Sequence, residues 1–289
     1  MSEEKYKYAQ GVRYKLEPPA KDAGEVRERH EANRIGWNEA AGYYEEHLNE
    51  AIEFIRAGKS SLHPIERDNL GDLSDWCETA VHLQCASGRD TLSLWNEGVK
   101  RVVGVDISDA HIANARRMSE AVGAPATWYR CDVLDTPHEL DGIADLVYTG
   151  RGALSWLQDL DAWAEVVFRL LKPGGVFHIL EGHPVGWLFE ADEETLVYSG
   201  LNYFTHAESN QGWEENYVGD LGMPVEQHAV KWDRLWPVSA VFQSLRRAGL
   251  SIEYFGEHAE DYFNSFPNLD QELQSKIPRT FSMMAKRSV

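Results

Sequence analysis

Two aspartates stand at matching places in this chain. Asp106 closes the apolar run "RVVGVD", and Asp132 follows "ATWYRC". A carboxylate at a strand tip can accept hydrogen bonds from hydroxyls or from an amino group. Upstream of Asp106 lies "VHLQCASGRDTLSLW", Val81 to Trp95. There an apolar run stops at a cluster of small residues and a helix-like pattern starts. A strand, a tight turn and a helix, with an acid about 20 residues beyond the turn, is the arrangement that seats a ribose on that acid. The candidate contacts are Gln84, Cys85 and Gly88 in the turn and Asp106 and Ile107 at the second tip. They continue with Asp132 and Val133 at the third tip and Thr149 at the fourth, in "VYTG". Asp132 can accept an adenine amino proton while Val133 covers the ring.

These tips require a sheet. From "TAVHLQC" onward, runs that read as strands alternate with runs that read as helices closed by Gly98 and Gly123, which indicates a parallel sheet with helices on both faces. Right-handed crossovers make it an α/β, Rossmann-like, doubly wound sheet. "KPGG" reads as a turn, and "TFSMMAKRSV" as a final strand that runs antiparallel, making seven. Residues 1 to about 25 read as a polar arm, and Val26 to Ala57 as one or two helices with a buried side. The expected division is an N-terminal arm and helical lid over 1–75 and a catalytic domain over 76–289. Within the latter, about 183–233 forms an insertion over the sheet's carboxyl edge.

Composition limits the partners. The 289 residues carry 47 acidic and 28 basic side chains, a net charge of −19. Nucleic-acid binders need a basic surface to displace counterions, so a small-molecule substrate is favoured over nucleic acid or an anionic membrane. No run is long enough to span a bilayer, and the first ten residues lack the apolar core of a secretion signal. A cytoplasmic location is expected. Oligomeric state is not legible. Cys77, Cys85 and Cys131 show no CxxC spacing and read as small buried hydrophobes.

The motifs together resemble those of class I S-adenosylmethionine-dependent methyltransferases, over about Ala80 to Gly182. The family's first turn reads Asp/Glu-x-Gly-x-Gly-x-Gly. The matching positions here are His82, Gln84, Ala86 and Gly88, so only the last glycine stands. "LQCASGRDTLSLW" is similar to a mostly bacterial subgroup with Leu-Gln-Cys at this place. The resemblance implies S-adenosylmethionine as cofactor, with the Gln84 amide meeting its methionine part. It also implies that "RIGWNEAAGYYEEH", with Trp37 and Asn38, closes over that end. The alternative for Trp37 is plain packing on the sheet.

A methyl already activated by a sulfonium needs an acceptor held in line and shielded from water. An oxygen or nitrogen acceptor also needs its proton removed. Candidate bases at the carboxyl edge are His183 and Glu181 in "LEGHP", although Glu181 can equally orient a backbone amide. His206 and His228 are weaker candidates. The aromatics of the insertion, among them Trp187, Phe189, Tyr198, Tyr203, Phe204, Trp213 and Tyr217, line a substrate pocket or form the insertion's own core. No metal is expected, because neither "HPVGWLFEADEE" nor "HAESNQGWEEN" has a ligand spacing. Two rival readings remain: an NAD(P)-dependent oxidoreductase, disfavoured by Gln84 and Ala86 where a pyrophosphate needs glycines, and a catalytically silent S-adenosylmethionine-binding protein.

Overall fold

The computed structural model describes residues 7–9, 12–214, 217–218 and 221–289, with side chains from residue 12 onward. The chain opens with two short strands, β1 (Lys7–Ala9) and β2 (Val12–Leu16). Helices α1 (Ala23–Glu46), α2 (Leu48–Arg56) and α3 (Pro64–Leu70) follow. The alternating part is β3 (Thr79–Leu83), α4 (Arg89–Asn96), β4 (Arg101–Asp106), α5 (Asp109–Val122), β5 (Ala126–Arg130), β6 (Ala144–Thr149), α6 (Leu160–Leu170) and β7 (Leu171–Gly182). Then come β8 (Ala207–Gln211), β9 (Lys231–Arg234), α7 (Val238–Arg247), β10 (Leu250–His258) and β11 (Thr280–Arg287).

The main sheet has seven strands in the order β10-β11-β7-β6-β3-β4-β5. β3 pairs in parallel with β4 on one side and β6 on the other, so the strand order switches beside it, and β11 runs antiparallel to both β7 and β10. The expected doubly wound sheet with an antiparallel final strand is therefore present. β3 is buried along its whole length, as a central parallel strand covered on both faces must be. Helices start on caps that the sequence supplies. Asp22 accepts from the Glu25 N–H, Ser108 from the His111 N–H, and Asp159 from the Ala162 N–H. Each side-chain oxygen satisfies one of the amide donors that a helix start leaves free.

Three local readings change. The segment read as a polar arm contains β2, which pairs with β8, and β8 pairs with β9. With β1 these form a second, antiparallel sheet, so the chain start and the insertion share one structure. Alternation of charged and apolar residues in "VRYKL" carries the strand, and polarity alone disguised it. Second, "KPGG" lies inside β7. Pairing with β6 jumps from Ala144↔Leu171 to Leu146↔Val176, so the turn residues form a bulge, with Gly174 at φ +81°. Third, Cys131 is half-buried, whereas Cys77 and Cys85 are buried as expected.

Candidate functional site

A cleft of about 100 Å³ opens at the carboxyl ends of β3 to β6, the place where open α/β sheets bind ligands. Its floor begins with the turn after β3. Gln84, Ala86 and Gly88 sit at φ +58°, +45° and +82°. The left-handed geometry that favours glycine is thus retained at all three positions where the family turn has one, although two of the residues carry a Cβ. This curl aims the Ala86 N–H at Asp106 Oδ2, 2.7 Å away. Asp106 Oδ1 accepts the Ser108 N–H at 2.8 Å. Burial pushes the Asp106 carboxyl up to about 6, against the pull of the Ser108, Ala86 and Ile107 amides. Ile107 and Val133 line the cleft beside it.

Asp132 lies on the same rim. Its Oδ2 is 2.8 Å from His30 Nδ1 and 3.2 Å from Arg27, and its Oδ1 accepts the Leu134 N–H at 3.0 Å. Burial would raise this carboxyl, but the His30 bond, together with Leu134 and Arg27, holds it below the usual aspartate value. Both carboxylates therefore face the cleft with one or two protein donors on each oxygen, which leaves acceptor capacity for a ligand.

Gln84 is polarised by its neighbours. Its Nε2 donates to the Ala153 carbonyl at 2.8 Å, while its Oε1 is buried without a donor among the described residues. An unsatisfied buried acceptor costs on the order of 1–3 kcal/mol, so this oxygen is suited to a donor brought by a ligand. The Ala153 loop is held by Glu181. Its Oε1 accepts from the Gly152 and Gly182 amides and the Tyr262 hydroxyl at 2.7, 2.8 and 2.8 Å. Its Oε2 accepts from the Ala153 and Leu154 amides at 2.8 and 3.0 Å.

The roof comes from α1 and the insertion. Trp37 meets Trp156 and Trp213 with ring centroids 5.0 and 4.9 Å apart, and Tyr217 at 6.0 Å. Asn33, buried on α1, donates to the Trp232 carbonyl at 2.9 Å and accepts its N–H at 2.6 Å. The Glu39 carboxylate takes the Ala229 N–H at 2.8 Å. These bonds tie α1 to the insertion beside the cleft that Trp37 and Tyr217 line.

Several expected site residues are placed elsewhere. Cys85 points under the turn, where its Sγ lies beside Gly104, and it does not line the cleft. Gly88 starts α4, and its missing side chain makes room for Trp128, which an added Cβ would approach to 2.5 Å. Thr149 is fully buried and outside the cleft lining. Asn38 clasps the start of α5 by accepting the Ser108 hydroxyl at 2.6 Å. Glu181 has all its bonding capacity taken by the five donors above, so it holds the loop and is not a free base. His183 caps a turn through the Val185 N–H and pairs with Glu257 at 3.0 Å, outside the cleft. Burial lowers its pKa, with Glu257 opposing. His206 and His228 are likewise engaged, with Glu208 and the Met223 carbonyl. Of the insertion aromatics, Tyr217 lines the cleft and Trp213 backs Trp37, whereas Phe204 is 75% exposed.

His30, Asn33, Arg151 and Trp156 also line the cleft and were not singled out from sequence. The available signal for α1 was its buried stripe, Val26, Arg29, His30, Asn33, Gly36 and Ala40. Most of that stripe is polar or small, so hydrophobic periodicity does not reveal it. Among the described residues no group of three or more His, Cys, Asp or Glu is placed to hold a metal ion, and no helix is long and apolar enough to cross a membrane.

Comparison with known proteins agrees with this geometry. Residues 80–175 match the family described as "Methyltransferase domain". The S-adenosyl-L-methionine-dependent Diels-Alderase iliD of Neonectria sp. (strain DH2) is 31% identical over 140 residues, 47% of this chain and 53% of that protein. The chain spans about half the length of the curated relatives it matches. An S-adenosylmethionine-dependent methyltransferase from Mesorhizobium loti superposes with a TM-score of 0.54 at 23% identity, covering 78% of this chain and 96% of that one. One from Clostridium acetobutylicum gives 0.56 at 14%, covering 85% and 99%. The sheet order and the left-handed first turn accompany the match of residues 80–175 to a methyltransferase domain, and the main sheet shares its fold with these S-adenosylmethionine-dependent methyltransferases.

Proposed function

We propose that this protein binds S-adenosylmethionine in the carboxyl-edge cleft and transfers its methyl group to a small-molecule acceptor. The observation that carries the reading is the set of acceptors on one rim: Asp106, Asp132 and the donorless Oε1 of Gln84. Asp106 would take the ribose hydroxyls. Asp132, oriented by His30, would take the adenine amino group, with Ile107 and Val133 against the ring. Gln84 would take the amino group of the methionine part. When bound, the cofactor supplies a methyl group already activated by its sulfonium. The chain's task is then to hold an acceptor in line and keep water out. Trp37, Trp156 and Tyr217 form an apolar wall suited to both. Residues 1–75 and about 183–233 serve as the cover, over a catalytic domain within 76–289 in the cytoplasm.

A second reading keeps the cofactor and omits the transfer. The one histidine lining the cleft is not a free base: its Nδ1 faces Asp132 at 2.8 Å, and its Nε2 accepts the Gln158 N–H at 3.0 Å. The curated relatives are named as S-adenosyl-L-methionine-dependent Diels-Alderases. In this reading the bound sulfonium acts as a fixed positive charge beside a reacting substrate. A dinucleotide oxidoreductase is less well supported, since Gln84 and Ala86 place side chains where a pyrophosphate would approach.

The test is calorimetric titration with S-adenosylhomocysteine and with NADH, followed by incubation with S-adenosylmethionine and metabolite extracts. Binding of the first ligand alone, with S-adenosylhomocysteine released as an extract component gains a methyl group, supports transfer. Conversion of a substrate without that release supports the second reading. Absence of binding removes both.

A further inference from the structure

Among the described residues, the connection from β10 to β11, residues 259–279, supplies none of the cleft lining. Its Phe263 nevertheless lies against two residues that do line the cleft, Tyr217 and Gly152. The Phe263 ring meets Tyr217 edge-on, with centroids 5.1 Å apart and an interplanar angle of 77°. Its Cε2 lies 3.3 Å from where a Cβ on Gly152 would stand, so the bare glycine makes a seat for the ring. Tyr262 meets the same ring at 4.6 Å. Phe263 is still 45% exposed. A lone exposed phenylalanine needs no explanation. This one closes the seam between two residues of the cleft wall, with solvent on its far side.

The loop that carries Phe263 is pinned at its base. Tyr262 donates to Glu181 Oε1 at 2.8 Å. Asp261 pairs with Arg279, whose Nη1 donates to Gln274 Oε1 at 2.8 Å and whose guanidinium lies 4.9 Å from the Phe266 ring. Phe266 and Leu269 are buried. Asp261 also accepts the Phe263 and Ser265 N–H groups at 3.1 and 2.7 Å, which shapes the tip into a turn with Asn264 at φ +55°. The Phe263 side chain itself is held by its apolar contacts with Tyr217, Tyr262 and Gly152. An edge-to-face ring pair favours the closed arrangement by roughly two- to twelvefold. The ring can therefore leave and return while the base of the loop stays in place.

We propose that Phe263 is a gate residue: its contact with Tyr217 closes the cleft at Gly152, and ligands enter and leave when it swings out. Reading the gate through a bound ligand rests on the cofactor reading above. A gate that opens without regard to the ligand scales entry and exit by the same open fraction and leaves the dissociation constant where it was. A residue that holds the ligand changes exit and affinity together. Kinetics therefore separates the two roles.

The test is stopped-flow binding of S-adenosylhomocysteine, read by the fluorescence of Trp37 and Trp156, which line the cleft. The proteins are wild type, Phe263→Ala, Phe263→Leu and a control, Phe255→Ala, at a phenylalanine of β10 that is 40% exposed. Phe263→Ala should raise the association and dissociation rate constants by a common factor of at least about threefold, with Kd within about twofold of wild type. Phe263→Leu keeps apolar bulk and loses the ring edge, so it should raise both by a smaller factor. Phe255→Ala should change neither. Unchanged rates in Phe263→Ala overturn the gate. Faster dissociation with unchanged association overturns it too, since that marks a contact to the ligand. A Phe255→Ala that matches Phe263→Ala also overturns it, because the effect is then not local to the seam. If Phe263→Ala does not fold, Phe263→Leu decides by the same criteria. Wild type that does not bind S-adenosylhomocysteine removes the cofactor reading and this inference with it. Wild type that binds, with both Phe263 variants at wild-type rates, removes the inference alone.

Discussion

Glu181 Oε1 accepts the Gly152 N–H at 2.7 Å, so a carboxylate at the end of β7 sets the path of the loop after β6. The loop carries Arg151 and Ala153 into the cleft, and Ala153 in turn orients Gln84. Burial raises the Glu181 pKa while its amide and hydroxyl donors oppose this. Glu181→Gln turns one acceptor oxygen into a donor facing N–H groups. The expected loss is at least about 2 kcal/mol of stability, since hydrogen bonds to a charged group contribute about 1.5–3 kcal/mol each. Urea unfolding measures it, and S-adenosylhomocysteine affinity should fall as well. A variant as stable as wild type would show that the loop does not depend on this carboxylate.

Asp106 has a folded-state pKa raised from 3.8 to about 6 by burial. The folded chain thus holds this proton more tightly than the unfolded chain. Its contribution favours folding at low pH and is lost as pH rises from about 4 to 6. Hydroxyl donors prefer the carboxylate, so S-adenosylhomocysteine should bind more tightly as pH rises through about 6. Asp106→Asn should be less pH-sensitive in both respects and bind at least about tenfold more weakly at pH 7.5, given about 1.5–3 kcal/mol per charge-assisted bond. Melting curves and titrations from pH 5 to 7.5 compare the two proteins. A constant difference between them across that range contradicts the assignment.

His183 caps a turn and pairs with Glu257 outside the cleft. His183→Ala should therefore cost about 1 kcal/mol of stability, as loss of a cap does, and leave the pH–rate profile unchanged. General-base catalysis is typically about 10²–10⁴-fold in rate. A hundredfold fall in kcat with intact stability would return His183 to the chemistry.

Asn33 ties α1 to the insertion through both backbone groups of Trp232 and also reaches the Trp156 carbonyl at 3.3 Å. Asn33→Ala leaves those buried groups without a partner, at about 1–3 kcal/mol. Limited proteolysis should then cut within residues 183–233 sooner than in wild type, and bound S-adenosylhomocysteine should slow the cutting in both. Identical cleavage in the two proteins would mean that the cover is held by other contacts.

Strand and helix identities followed from the chain because β3 to β7 and their helices alternate in composition and end on glycines, as at Gly98 and Gly123. Local forces suffice for that pattern. Asp106 and Asp132 were legible for the same reason: a residue at a strand tip in a parallel sheet faces the ligand edge whatever its neighbours do. Side-chain direction within the turns was not legible. Cys85, Gly88 and Thr149 lie next to cleft residues in sequence, yet packing against Trp128 and the sheet turns them away. Glu181 and His183 have the residue types of a base, and only the tertiary fold supplies the partners that occupy them. His30, Arg151 and Tyr217 reach one cleft from α1, the loop after β6 and the insertion. Their meeting depends on long-range contacts between segments that carry no common local pattern, and such contacts exist only once the sheet has formed.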